Sequence, residues 1–191
     1  MAAPGGSGPI GPYPPHVTED DDARDEYDRL RRRVLWSFPS GLYLVGSRAT
    51  IDGVDRRNLM TLNWATQVSF EPKLVGIGVE QSAVTHQLIT AGGVFTVATI
   101  SRDDRAIVRK FTKPVEVDES ASTANGFEFT AAVTGAPILT SAAAYVDCEV
   151  RDSIAFGGHT LFVGEVVDAG FRSDEDTEVL RMEDTRMNYG G

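Results

Sequence analysis

The stretch from Asn58 to Ile89 reads NLMTLNWATQVSFEPKLVGIGVEQSAVTHQLI, and the fold is decided in it. Asn58 to Val68 is one strand-forming region and Leu74 to Val79 another, linked through Glu71-Pro72. Gly76 and Gly78 alternate with Val75, Ile77 and Val79. One face of that strand is thereby stripped of side chains, so that another backbone or a flat ligand can approach closely. Ser82 to Ile89 then opens a helix that Gly92-Gly93 closes. Asn63, Thr66, Ser82 and Thr85 are polar where an apolar sheet has no need of them, and they read as the lining of a small-molecule site.

On the N-terminal side, Leu42 to Arg48 is a strand, and Asp52-Gly53 in the polar segment from Thr50 to Arg57 is a hairpin signal. Before it, Ala23, Tyr27, Leu30 and Val34 mark one face of a helix that stops before Pro39. Thr18 is its expected N-cap, and the acids from Glu19 to Asp22 suit its first turn. Arg31, Arg32 and Arg33 near its end read as a match to the helix dipole in preference to a phosphate site. Met1 to Pro15 is Pro, Gly and Ala with almost nothing to bury; residues 1–17 are expected as an extended or disordered tail and 18–191 as one domain.

On the C-terminal side, Val94 to Ile100 is a buried strand, and Ser101 with Asp104 forms a capping box for a helix carrying Ala106, Ile107, Val108 and Phe111. Asp118 to Gly126 has loop composition. From Ala144 to Asp152 the chain alternates, with Ala144, Val146, Cys148 and Val150 inward and Tyr145, Asp147, Glu149 and Arg151 outward. Cys148 on the inner face is a structural cysteine. After a turn at Phe156-Gly157-Gly158, Thr160 to Ala169 returns as the second arm of a long antiparallel hairpin. Short strands with helices between them and no βαβ glycine fingerprint indicate a mainly β chain, a β-barrel with flanking helices.

Composition excludes several classes. A net charge of −10 argues against a nucleic-acid surface, and any phosphate must be held by local geometry. One cysteine and three scattered histidines, His16, His86 and His159, leave no metal-ligand set. His86 is expected at the surface. No apolar run approaches the roughly 20 residues that span a bilayer. The N-terminal MAAPGGSGPIGPYPP has no signal-peptide core, and a cytoplasmic location is expected. There is no GxSxG, no P-loop and no GxGxxG after a strand, so a bound organic cofactor is the natural carrier of any chemistry.

The segments PSGLYLV (Pro39 to Val45), MTLNWATQVSFEPKLVGIGV (Met60 to Val79) and SAVTHQLI (Ser82 to Ile89) resemble the flavin reductase-like family. GAPIL (Gly135 to Leu139), AYVDCEV (Ala144 to Val150) and GGHTLFVGEV (Gly157 to Val166) match the same family in the same order. The resemblance covers nearly everything from about Leu30 onward. It implies an FMN-binding split barrel, a homodimer, in which NAD(P)H reduces FMN or FAD, with reduced flavin passed to a partner monooxygenase. The alternatives within the fold are a flavoredoxin-like electron carrier that keeps its FMN and a barrel using another cofactor such as a deazaflavin.

The resemblance also assigns residues. Thr61, Asn63, Trp64, Ala65 and Thr66 fall on the loop along the isoalloxazine edge, where main-chain groups and short hydroxyls suit O2, N3 and O4 of the ring. For Trp64 ring contact stands beside core packing. Gln81, Ser82 and Thr85 fall on the phosphate loop, with Ser82 as N-cap of a helix whose free N–H groups suit an anion; simple helix capping is the competing reading. Glu80-Gln81 stands where many relatives carry a basic residue, so the cation is expected from Arg48, Arg56, Arg57 or Lys113. His159 falls beside the nicotinamide side of the flavin, positioning the reactants. Tyr189 near the C-terminus either folds over the flavin or makes a dimer contact.

Overall fold

The computed structural model describes residues 13, 14, 17 and 21–185. The expected tail and the Thr18 cap, apart from residues 13, 14 and 17, therefore lie outside the described residues, as does Tyr189. The chain divides into two compact units, Ser40–Arg186 and a smaller one that contains the first helix. In the smaller unit α1 (Asp21–Trp36) has Asp21 and Asp22 in its first turn and Arg33 in its last. Those charges match the dipole as the sequence predicts. Arg31 pairs with Asp28, in keeping with the dipole reading of the arginine run.

The larger unit is built on a seven-stranded antiparallel sheet. Its strands are β1 (Tyr43–Ile51), β2 (Val54–Leu62), β3 (Ala65–Ser69), β4 (Leu74–Glu80), β5 (Val94–Ile100), then after four short strands β10 (Ala142–Phe156) and β11 (His159–Phe171). The order across the sheet is β2-β1-β5-β10-β11-β4-β3. At the β1–β2 turn Asp52 (φ 52°) and Gly53 (φ 75°) are both left-handed, as the Asp-Gly signal predicts for a tight hairpin. The edge strands β2 and β3 are consecutive in the chain, with only Asn63 and Trp64 between them. That link spans at most about 11 Å, whereas the outer strands of a flat seven-stranded sheet lie about 29 Å apart. The sheet must therefore curl until its edges meet at Asn63-Trp64. The two edges are not hydrogen-bonded to each other, which makes the barrel a split one.

The curled sheet encloses Val45, Leu62, Ile77, Val79, Phe95, Val97, Cys148 and Phe162, and Ile89 of α2 (Val84–Gly92) completes the cluster. The helix ends on Gly93, left-handed at φ 68°, whose N–H donates to the Ile89 carbonyl at 2.8 Å. Gly92 is required for the contact with β1, since a Cβ there would stand 1.9 Å from the Arg48 carbonyl oxygen. Burial pushes the Cys148 thiol up to about 12. Cys148 is therefore expected to resist an aromatic disulfide reagent in the folded protein and to react fully in denaturant. Rapid labelling of native protein would contradict this packing.

Three expectations need correction. The segment from Asp118 to Gly126 is not plain loop: β6 (Val117–Asp118), β7 (Thr123–Ala124), β8 (Phe127–Ala131) and β9 (Pro137–Leu139) form a second, four-stranded sheet. Asp147 is fully buried, not outward to water, because the chain leading into β9 covers that face. Its carboxylate accepts from the Thr134 amide at 2.8 Å and the Thr134 hydroxyl at 2.6 Å. Burial raises its pKa. Gly46 permits the same layer to close, since a Cβ there would lie 2.0 Å from the Pro137 carbonyl oxygen. Finally, the segment after Ser101 forms two 3-10 turns, Arg102–Asp104 and Ile107–Phe111, in place of one α-helix. Ser101 caps the first by accepting from the Asp103 amide at 3.3 Å.

Candidate functional site

The site is assembled at the split, where the two edges of the sheet meet. Trp64 leaves the end of β2, and its carbonyl accepts from the Gly78 amide at 2.9 Å. Gly78 carries no side chain, and its missing Cβ would lie 3.3 Å from the Trp64 indole. The stripped face of β4 thus receives the indole, while Trp64 as a whole stays 45% exposed. Strand β11 runs beside β4 with His159 opposite Glu80. This register brings the imidazole to 4.8 Å from the indole, centroid to centroid, with the planes at 54°. Gln81 is tied to the same corner, its amide donating to the Gly158 carbonyl at 2.9 Å. Trp64, Gln81, Ser82 and His159 are thereby brought together.

The start of α2 closes one side. Ala83, not Ser82, occupies its N-cap position, and no side chain caps it. The Ser82 hydroxyl instead donates to the Glu80 carboxylate at 2.9 Å. An uncapped helix start retains unsatisfied N–H groups and a favourable dipole for an anion, which fits a flavin phosphate. Thr85 is fully buried, and its hydroxyl oxygen accepts from Asn58 Nδ2 at 2.8 Å. Only its main chain is left for a ligand. Its side chain instead fastens the helix start to β2. Thr85→Val is expected to lower stability by about 1–3 kcal/mol through the stranded Asn58 amide; an unchanged denaturant midpoint would show that this bond fastens nothing.

Thr61 is also withdrawn from solvent, 1% exposed, with its hydroxyl donating to the Val108 carbonyl at 2.5 Å. Asn63 is buried at 8% exposure, whereas Thr66 is exposed. A groove of about 350 Å³, lined by Tyr43, Thr66, Val97, Tyr145 and Phe171 among others, begins at Ala65 and Thr66 and runs over the open mouth of the barrel. It does not extend to Gln81 or His159. The polar corner and the apolar groove therefore share only the ring-edge loop. His86 differs from expectation. It is half-buried, bonded to the Thr160 hydroxyl at 2.8 Å and packed 5.2 Å from the Phe162 ring.

Of the four expected cations, two are committed elsewhere. Arg48 binds Asp55 at 2.7 Å, and Arg57 binds Asp55 at 3.0 Å and Glu119 at 2.5 Å. Arg56 has no partner among the described residues and shares a face of β2 with Asn58. One strand repeat, about 7 Å, separates it from the residue that holds Thr85. That step leads toward the other end of α2, because Ala49, the cross-strand partner of Arg56, lies against Gly92.

A split β-barrel with a Trp–His pair at its seam and an uncapped helix start beside it suits a ligand that carries both a flat ring and a phosphate. The model of the flavin reductase like domain matches residues 35–191, and the chain belongs to that family. It is 34% identical over 161 residues to an NADH-dependent FAD reductase of Streptomyces globisporus, covering 81% of this chain and 83% of that protein. It is 32% identical over 111 residues to the NADH-dependent flavin reductase StyB of Pseudomonas fluorescens, covering 58% of this chain and 61% of the relative. Among solved structures, the NADH:FAD oxidoreductase SgcE6 of S. globisporus aligns with a TM-score of 0.66 at 28% identity, over 91% of this chain and 90% of its own.

Proposed function

We propose that this protein is a flavin reductase in which NADH or NADPH reduces FMN or FAD at the seam of the split barrel. The observation that carries the reading is the exposed Trp64 seated over Gly78 and paired with the His159 ring, in a chain of this family. Bound flavin supplies the hydride-accepting ring, so no protein base is required. The residues of the chain bind and orient. Main-chain groups from Asn63 to Thr66 meet the polar edge of the ring, the start of α2 meets the phosphate, and the aromatic pair aligns the two ring systems for direct transfer. The reading extends to a cytoplasmic homodimer that passes reduced flavin to a monooxygenase. The monooxygenase partner is supported by the likeness to the styrene monooxygenase flavin reductase of Pseudomonas putida S12, 27% identical with a TM-score of 0.61.

The test is oxidation of NADH and NADPH with and without added FMN or FAD, together with the absorption spectrum of the purified protein. Absence of flavin-dependent turnover with either nicotinamide would sink the proposal. Flavin retained through dialysis by a protein inert to both nicotinamides would identify an electron carrier in its place. Within this reading His159→Ala is expected to slow flavin reduction about tenfold while flavin affinity changes less than threefold, since a positioning contribution falls on the transfer step. The reverse pattern would make His159 a structural residue.

A further inference from the structure

The two 3-10 turns that replace the expected helix build a second hollow. It encloses about 430 Å³ between Arg105, Ala106 and Arg109 on one side and Asp184 and Thr185 on the other. The acids nearest in the chain are already engaged, with Asp184 bound to Arg102 at 2.5 Å and Glu178 to the same arginine at 3.2 Å. Asp103 and Asp104 lie on the preceding turn, outside the lining. Neither Arg105 nor Arg109 has a side-chain partner among the described residues. In a chain of net charge −10, two unpaired guanidinium groups facing one hollow form a local anion site against the overall field. Guanidinium forks match phosphate oxygens in pairs.

The opposite wall narrows the ligand. The Asp184 side chain is only 7% exposed and accepts from the Arg181 amide at 3.0 Å as well as from Arg102. That amide first, then Arg102, hold its carboxyl below the usual carboxylate range, so it stays an ionised acceptor. A carboxylate beside two arginines disfavours bare inorganic phosphate. It suits a ligand that presents both phosphates and hydroxyl donors. The hollow is also fastened to the ring-binding loop. Val108, next to Arg109, accepts the Thr61 hydroxyl, and Asn63 lies two residues beyond Thr61. The Cα atoms of Arg109 and Asn63 are thus within about 15 Å, a separation that a ribityl or ribose chain with its phosphates can bridge.

We propose that this hollow takes the adenosine diphosphate arm of a dinucleotide whose ring lies against Trp64 and His159, with Arg105 and Arg109 on the phosphates and Asp184 on a ribose hydroxyl. The inference rests on the proposed function for the ring end only. Two dinucleotides carry this arm, FAD and the nicotinamide donor, and FMN lacks it.

The experiment compares wild type with the Arg105→Gln/Arg109→Gln protein and with Arg105→Lys/Arg109→Lys, all checked for an unchanged thermal midpoint. Calorimetric titration with ADP alone is expected to show at least tenfold weaker binding in the glutamine variant and partial retention with lysine. In steady state the KM for FAD or for NADH rises at least tenfold while that for FMN stays within twofold, and whichever rises names the source of the arm. ADP affinity indifferent to both arginines, or an FMN KM that rises as far as the FAD KM, overturns the inference. If wild type reduces flavin but shows no arginine-dependent ADP binding, the proposed function stands and this inference falls. If ADP binds through the arginines and no flavin turns over, the assignment of the hollow stands and the proposed function falls.

Discussion

Phe95→Ala is expected to destabilise the protein by about 3–5 kcal/mol, the range for removing a fully buried aromatic side chain. Phe95 has no exposed surface and belongs to the central cluster. Its ring lies against Gly164 of β11: a Cβ added to Gly164 would fall 2.6 Å from the ring and 2.8 Å from Cys148 Cβ. A large residue on β5 thus fills the space that a glycine on β11 leaves open, across the strand that carries Cys148. Truncation leaves a cavity that the closed sheet cannot collapse around, because every strand beside it is paired on both sides. Against a typical total stability of about 5–15 kcal/mol, this loss alone endangers folding at physiological temperature. The denaturant midpoint measures it. A loss below about 1 kcal/mol would show that the ring is not a structural centre. Overpacking from the other side, by Gly164→Ala, is expected to cost about 1–3 kcal/mol.

Trp64→Ala is expected to lower kcat/KM for the nicotinamide, with flavin saturating, at least tenfold, equivalent to about 1.4 kcal/mol of barrier. Two losses combine. The exposed indole face is removed from the seam, and the His159 ring loses the partner that holds it at 4.8 Å. An aromatic contact of this kind contributes about 0.5–1.5 kcal/mol, so the imidazole gains freedom where reactant alignment matters most. Because Trp64 is 45% exposed, its truncation leaves little cavity, and the denaturant midpoint is expected to move far less than for Phe95→Ala. Trp64→Phe keeps a ring over Gly78 and is expected to recover most of the rate. Equal turnover in all three proteins would place the reaction elsewhere.

The large strands were legible because their information is local. The Asp52-Gly53 hairpin, the alternation from Leu74 to Val79 and the paired arms around Gly157-Gly158 each declare themselves within ten or so residues. The small sheet did not, since two-residue strands such as Val117–Asp118 and Thr123–Ala124 are too short to show a period. The burial of Asp147 was hidden for another reason: alternation shows which residues share a face but not whether a later segment will cover it. Thr134 supplies that cover from elsewhere in the chain. The site divides along the same line. Asn63 and Thr66 stood out as polar residues in an apolar sheet, and the family pattern added Trp64, Ala65 and His159 as expectations. The spatial meeting of Trp64 with His159 depends on the β4–β11 register, which no local pattern encodes. Thr85 was expected on the phosphate loop, and what no local pattern showed is that Asn58 on β2 engages its hydroxyl. Arg105 and Arg109 carry no sequence signal of their own, since the hollow they line exists only because the segment folds as two tight turns.

The link between β2 and β3 makes the binding loop and the fastening of the whole sheet one object. A clasp of two residues has no slack, so Asn63 and Trp64 take their places only once the first and last strands of the sheet have found each other. The chain cannot loosen this corner to admit a ligand without also loosening its own closure. A ligand gripped there, in turn, holds the barrel shut. Affinity at the seam and resistance to unfolding are therefore drawn from the same equilibrium.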